Sequence, residues 1–297
     1  MIQGFTGQVQ MWWNRSAFRT PYPEAVDELF ASGGAPPCVV VFVDARYRTL
    51  PDAAHRGIQG KSSGGFGAMI TPMLRPDRFG ALATHAGDSL YEACYLPDHP
   101  RAVRLLRAWD GSIERWWDDF RRRAAFSDPA DATLLGLYGV AACFSPDETG
   151  RPVLPFDTRT GRLADEVWQR WLAWDPVRRV ADHVDALRGL RGLRGIWVDA
   201  GRADEYFLDL GATAFVEQLA GVGVSDVAFE LFDAGHGGID HRYPRLPPLA
   251  RLPRRAAQSL SGPAGPERRR IPGPTPTGEA PTVVLVPPAS LLRSSRP

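Results

Sequence analysis

The sequence predicts an α/β fold, and three observations carry that expectation. Short apolar runs rich in β-branched or aromatic residues recur along the chain, bounded by Gly, Pro or Asp, which is how strands read. Helical patterns alternate with these runs. Hydrophobic residues make up 44% of the 297, enough to bury a sizeable core in one large or two ordinary domains. Strands that alternate with helices imply a mostly parallel sheet with helices on both faces.

The expected strands are Cys38–Val43, Arg56–Gly60, Gly80–Thr84, Gly195–Asp199 and Val227–Phe232. After Asp209, residues Ala212, Phe215, Val216 and Leu219 fall at i, i+3, i+4 and i+7, one face of a helix that Gly221 or Gly223 can end. Between about residues 88 and 194 the pattern changes. Ala102–Arg123 is long, helical and carries Trp109, Trp116 and Trp117, and Leu163–Leu187 carries Trp168, Trp171 and Trp174. This reads as a helical, lid-like insertion over one end of the sheet. Its tryptophans are expected to glue the helices to the core, with substrate contact as the alternative. From Pro247 onward there is no aromatic residue, 12 of the 27 prolines occur, and eight Arg stand against two Glu. Such a stretch cannot bury enough apolar surface to offset its ordering entropy. The expected division is a folded domain over 1–246 and a Pro/Arg-rich disordered tail over 247–297.

Composition argues against several classes of function. A formal net charge of +1 supplies no global field toward nucleic acid or membrane. The basic tail could touch nucleic acid only non-specifically. No apolar run approaches 18 residues, so no membrane span is expected. The start lacks the basic region and apolar stretch of a signal peptide, which makes the expected compartment cytoplasmic. Cys38, Cys94 and Cys143 are odd in number and widely spaced, a pattern that suits buried thiols better than disulfides or a zinc site.

One short stretch carries the chemistry. Gly60-Lys61-Ser62 ends like a phosphate-binding loop, while Gly60-Lys61-Ser62-Ser63-Gly64 matches the G-x-S-x-G turn of a serine nucleophile. The phosphate loop needs a glycine five residues before Gly60, because backbone amides along the whole loop cradle the phosphates. That position is His55. The nucleophile turn needs small residues two positions either side of its serine, which sits in strained backbone. Gly60 and Gly64 are there. Gly65, Gly67 and Ala68 let the next helix pack close to the sheet, and its N-terminus directs partial positive charge at a developing oxyanion. Ser62 is then the nucleophile, and the Ser63 N–H one oxyanion donor.

A serine hydrolase of this kind needs an acid and then a histidine further along the chain. Both follow. After the strand ending at Asp199 comes Ala200-Gly-Arg-Ala-Asp-Glu-Tyr206, and after the strand ending at Phe232 comes Asp233-Ala-Gly-His-Gly-Gly238. Catalytic groups of open parallel sheets gather at that C-terminal edge. Asp204 is the expected acid and His236 the expected base. Asp199 and Glu205 are rival acids, and His241 is a rival base. His236, Asp240 and His241 lack the convergent ligands that a metal site needs, so none is expected.

Together Gly60–Ala68, Gly80–Asp88, Asp199–Tyr206 and Phe232–His236 resemble the "Putative esterase" family of the α/β-hydrolases, which groups esterase D-like enzymes, S-formylglutathione hydrolases, enterochelin and feruloyl esterases, and mycolyltransferases. The resemblance covers about residues 2–246. It implies the α/β-hydrolase fold, a small-molecule ester substrate, an acyl-enzyme intermediate and no cofactor. It places the nucleophile on Ser62, the acid on Asp204 and the base on His236. The family's oxyanion loop matches Gln3-Gly4-Phe5-Thr6-Gly7, so the Phe5 N–H is the second expected oxyanion donor, with Gln3 in place of the usual histidine. Three departures stand out. Family strands before the oxyanion loop have no counterpart, as in an N-terminal truncation. Only 12 residues, 44–55, link the strands at 38–43 and 56–60, the lower limit for a crossover with its helix and the mark of an internal deletion. The Arg/Pro-rich tail replaces a C-terminal helix. A scaffold so reduced is expected to weaken activity. Acyl transfer to an alcohol, or a non-catalytic protein of this fold, are the alternatives.

Overall fold

The computed structural model describes residues 56–123 and 127–238, together with Glu24, Glu28, Ala31, Ser32, Ala53 and Arg242. All belong to the first of two units into which the chain divides, Met1–Ala257 and Gln258–Pro297. The expected strand at 38–43, the oxyanion loop at 3–7 and the tail at 247–297 lie outside the described residues.

Among these residues four strands form one sheet: β1 (Gly57–Ser62), β2 (Ala81–Gly87), β3 (Gly195–Gly201) and β4 (Val227–Phe232). Their spatial order is β1-β2-β3-β4, and every pairing is parallel. Each is an expected strand, and β1, β2 and β3 run past the expected ends at Gly60, Thr84 and Asp199. In β1 and β2 the apolar run stops before the ladder does, because Lys61 and His85 still find partners across the strands, whereas β3 is lengthened by Ala200 and Gly201 opposite Leu231 and Phe232. Lys61 stands opposite His85, His85 opposite Asp199, and Asp199 opposite Glu230. Buried His85 and Asp199 share a 2.8 Å Nδ1···Oδ1 contact, as buried polar groups must be paired.

Among the described residues are nine α-helices and a short 3-10 helix, Arg107–Trp109. On the sheet face that carries Ile58, Leu82, Ile196 and Val198 lie α1 (Ser63–Leu74) and α9 (Leu208–Gly221), with Met69, Met73, Phe215 and Leu219 in one buried cluster with those strand residues. On the other face Ala81 and Ala83 form a separate cluster with Trp197.

Between β2 and β3 run α2 (Tyr91–Cys94), α3 (Asp98–Leu106), α4 (Ile113–Arg122), α5 (Asp131–Phe144), α6 (Asp165–Leu172), α7 (Pro176–Asp182) and α8 (Val184–Arg191). The long helix expected over 102–123 is broken. Asp110 and Gly111 both have positive φ, 53° and 76°, and Ser112 caps the next helix by accepting from Arg115 N–H. The region over 163–187 breaks at Asp175-Pro176, where Asp175 accepts from Val177 N–H and Pro176 opens α7. The same carboxylate accepts from Leu90 and Tyr91 N–H, at 3.0 and 2.9 Å, tying this region to the loop after β2.

All six tryptophans of the region pack into the core. Trp116, Trp168 and Trp171 are buried, and Trp109, Trp117 and Trp174 lie half-buried against them. Trp116 Nε1 donates to buried Asp131, which also receives the Arg123 guanidinium through both oxygens. Trp171 Nε1 donates to Ser145 Oγ at 2.7 Å. Cys94 is a buried free thiol as expected, whereas Cys143 is exposed. Cys143 sits on α5 among positions that alternate between core and solvent, and spacing alone does not tell which face a cysteine takes. None of the described helices is long and apolar enough to cross a membrane.

Candidate active site

The end of β1 and the start of α1 form a sharp turn on one residue. Ser62 has φ 57° and ψ −131°, a conformation rarely populated by a residue with a Cβ, and α1 begins at the next position. Two glycines make the turn possible. A Cβ on Gly60 would meet the Gly64 carbonyl oxygen at 2.1 Å, and one on Gly65 would meet Gly87 Cα at 2.6 Å. The first contact closes the turn on itself, and the second lets α1 press against β2. Ser63 is the first residue of α1, so its N–H belongs to the unpaired amide set at a helix start, where negative charge is favoured.

The expected acid and base follow the next two strand ends on the far side of β2. Asp204 follows β3 and is buried; His236 follows β4 and is half-buried. His236 Nδ1 lies 2.8 Å from Asp204 Oδ2. Because a carboxylate only accepts, Nδ1 is the donor in that contact, and in the neutral imidazole this tautomer has Nε2 as the acceptor. The loops also hold each other. Asp204 Oδ1 accepts from Tyr206 N–H at 2.9 Å, Glu205 Oε2 accepts from His236 N–H at 2.7 Å, and the Tyr206 ring meets the imidazole edge-on at 4.9 Å between centroids.

The other two carboxylates weighed for the acid have different partners. Asp199 accepts from Trp197 Nε1 and Arg242 Nε and pairs with His85. Burial alone would raise its pKa, but those bonds outweigh it and hold the carboxyl below its ordinary value. Glu205 is held below its ordinary value first by the His236 backbone N–H, so it fixes the histidine loop and leaves Nδ1 to Asp204. Asp240, His241 and Phe5 lie outside the described residues.

Asp88 was not singled out by sequence and belongs to this neighbourhood. It directly follows β2, its N–H donates to the Ser62 carbonyl at 3.4 Å, and its Oδ2 accepts from Tyr95 Oη at 2.7 Å. The signal that could have found it is its place one residue past a strand's C-terminal end, the same signal that marked Asp204 and His236. Backbone strain collects at this edge too. Of the five non-glycine residues with positive φ among those described, Ser62, Ala86, Leu90 and Phe207 lie at or just beyond the ends of β1, β2 and β3.

The family described as "Putative esterase" matches residues 38–250. No curated protein matches the chain. Among solved structures, the chain is similar to a ferulic acid esterase, at 19% identity over 84% of this chain and 82% of that one, with a TM-score of 0.48. It is also similar to dipeptidyl peptidase 4 of Porphyromonas gingivalis, at 17% identity over 67% of this chain and 20% of the peptidase, TM-score 0.34. An S-formylglutathione hydrolase of Staphylococcus aureus is similar at 12% identity over 80% and 64% of the two chains, TM-score 0.29.

Proposed function

The chain belongs to the "Putative esterase" family of carboxylic ester hydrolases, with the α/β-hydrolase fold, and from that premise we propose that it is a serine esterase acting through an acyl-enzyme. The observation that carries the proposal is the strained turn at Ser62, φ 57° and ψ −131°, on the junction of β1 and α1. Strain of this kind persists only where surrounding structure over-determines it, and it presents the serine hydroxyl at the sheet's edge. The His236–Asp204 contact at 2.8 Å supports the same reading.

In the proposed reaction His236 Nε2 takes the Ser62 proton as Oγ bonds to the ester carbonyl carbon, whose π electrons move to oxygen. Asp204 keeps the imidazole in the required tautomer and stabilises its charged form. The Ser63 N–H, with the Phe5 N–H that the resemblance implies, holds the oxyanion, each donor worth about 2.7–4 kcal/mol. Collapse of the tetrahedral species expels the alcohol, which takes the proton from His236. Water then repeats the sequence on the acyl-enzyme, with His236 as base, and frees the acid and Ser62. The substrate is a small ester, and all the chemistry is done by side chains and backbone amides.

The test is pre-steady-state hydrolysis of p-nitrophenyl acetate. An initial burst of p-nitrophenol stoichiometric with enzyme, lost in His236→Gln, is the expected result. Turnover that persists at the same rate in His236→Gln would refute the proposal.

A further inference from the structure

We infer that Asp88 is a positioning residue of this site, a second carboxylate that favours the charged imidazole of His236 during the reaction. The inference rests on the serine-esterase reading and adds a residue to it. Four observations carry it. Asp88 is tied to the nucleophile turn through its N–H on the Ser62 carbonyl, and its carboxylate is fixed by the Tyr95 hydroxyl. It is 9% exposed, so its charge acts through protein more than through water. It also stands past the end of β2 at the same sheet edge as Asp204 and His236, past β3 and β4, and both of their charges act on its carboxyl. The remaining groups around it, Tyr91, Cys94 and Tyr95, are held neutral by burial, well above their ordinary pKa values. The histidine therefore forms its cation beside two acids.

The arrangement works against stability, as a functional carboxylate often does. Burial is the first cause that pushes the Asp88 carboxyl up to about 6 from 3.8; Asp204 adds to the rise, while Tyr95 and His236 oppose it. A folded-state value above the unfolded one means that the stability linked to this group is fully present below about 3.8. It is lost as pH rises through about 6. At pH 7 and above the protein holds a buried charge that a neutral residue would not carry.

Asp88→Asn tests the idea, because it keeps the acceptor for Tyr95 and removes the charge. The measurement is the rate of fluorophosphonate labelling from pH 4 to 9, with melting followed at pH 4 and pH 8. Without Asp88 the plateau rate at alkaline pH falls about three- to tenfold. The acid limb moves to lower pH by about half to one unit, since an opposite charge nearby is worth roughly that much. The two profiles therefore converge toward acid pH, where Asp88 is protonated anyway. Asp88→Glu restores part of the plateau, and Tyr95→Phe, which lets Asp88 protonate more readily, moves the limb the same way by less. The Asn variant melts higher than the wild type at pH 8 and not at pH 4. A parallel fall at all pH values, as a structural defect would give, overturns the inference, as does an unmoved profile. In either case labelling of the wild type leaves the serine-esterase reading standing. A wild type that does not label overturns both.

Discussion

Ser62 shows at the residue scale how neighbours impose a conformation that a side chain resists. Its positive φ costs of the order of 1–3 kcal/mol, and the turn can form only because Gly60 lets the Gly64 carbonyl come within 2.1 Å of where a Cβ would be. That contact is with backbone and cannot relax by rotating a side chain. Gly60→Ala is therefore expected to reopen the turn and lower ester turnover at least about 100-fold, the cost of displacing a reacting group by about 1 Å. Turnover beside a melting curve checks this, and a variant within threefold of wild-type activity would contradict it. The residues of this site were legible to different degrees. Ser62, Asp204 and His236, the residues proposed to react, could be named from the sequence because the proposed chemistry demands those residue types in that chain order. Asp88 could not, because its significance comes from the Tyr95 hydroxyl and the charges of His236 and Asp204, which meet it only in space. Asp199 showed the reverse: a strand-end carboxylate with the right address, engaged instead by His85, Trp197 and Arg242.

At the scale of elements, the strands were the legible part. A parallel strand covered by helices is a short run with apolar residues, and β1 to β4 were all expected from such runs, although periodicity cannot see that the pairing of Lys61 and His85 extends β1 and β2. The helices were less legible. Breaks at Asp110-Gly111 and Asp175-Pro176 carry local signals, a turn pair and a Pro at the first helical position. By contrast α5 is apolar around much of its circumference and gives no helical period to read. One residue here makes a prediction. His99 of α3 is buried within an aromatic cage: Phe156 stacks on it at 4.6 Å, and Trp168 and Trp171 meet it edge-on. Neither ring nitrogen has a hydrogen-bond partner among the described residues, and burial lowers its pKa to about 4 from 6.5. The depressed value means that the associated stability is present above about 6.5. It is lost as pH falls toward about 4, where the unfolded chain binds a proton that the folded one refuses. The loss amounts to about 2–3 kcal/mol. His99→Phe keeps the stacking surface and removes the proton site. The expected outcome is a melting temperature that falls less between pH 7 and pH 4.5 than that of the wild type, and equal falls would show that His99 is not the group responsible.

For the molecule as a whole, parallel strands bring the ends of β1, β2, β3 and β4 to one edge, and Ser62, Asp88, Asp204 and His236 all sit at or beyond those ends. Residues far apart in sequence come to one sheet edge because parallel strands all end on the same side, and that edge is the proposed site. One or two positions back from the strand ends, Lys61, His85, Asp199 and Glu230 stand in register across all four strands, a polar row that no single segment of sequence displays. The central claim is that this edge is a serine nucleophile's site, and mass-spectrometric mapping of a fluorophosphonate adduct on the full chain tests it most directly. The account predicts one adduct per chain on Ser62, abolished in Ser62→Ala and kept in Ser63→Ala. An adduct on Ser63 or elsewhere, or labelling that survives Ser62→Ala, would contradict it.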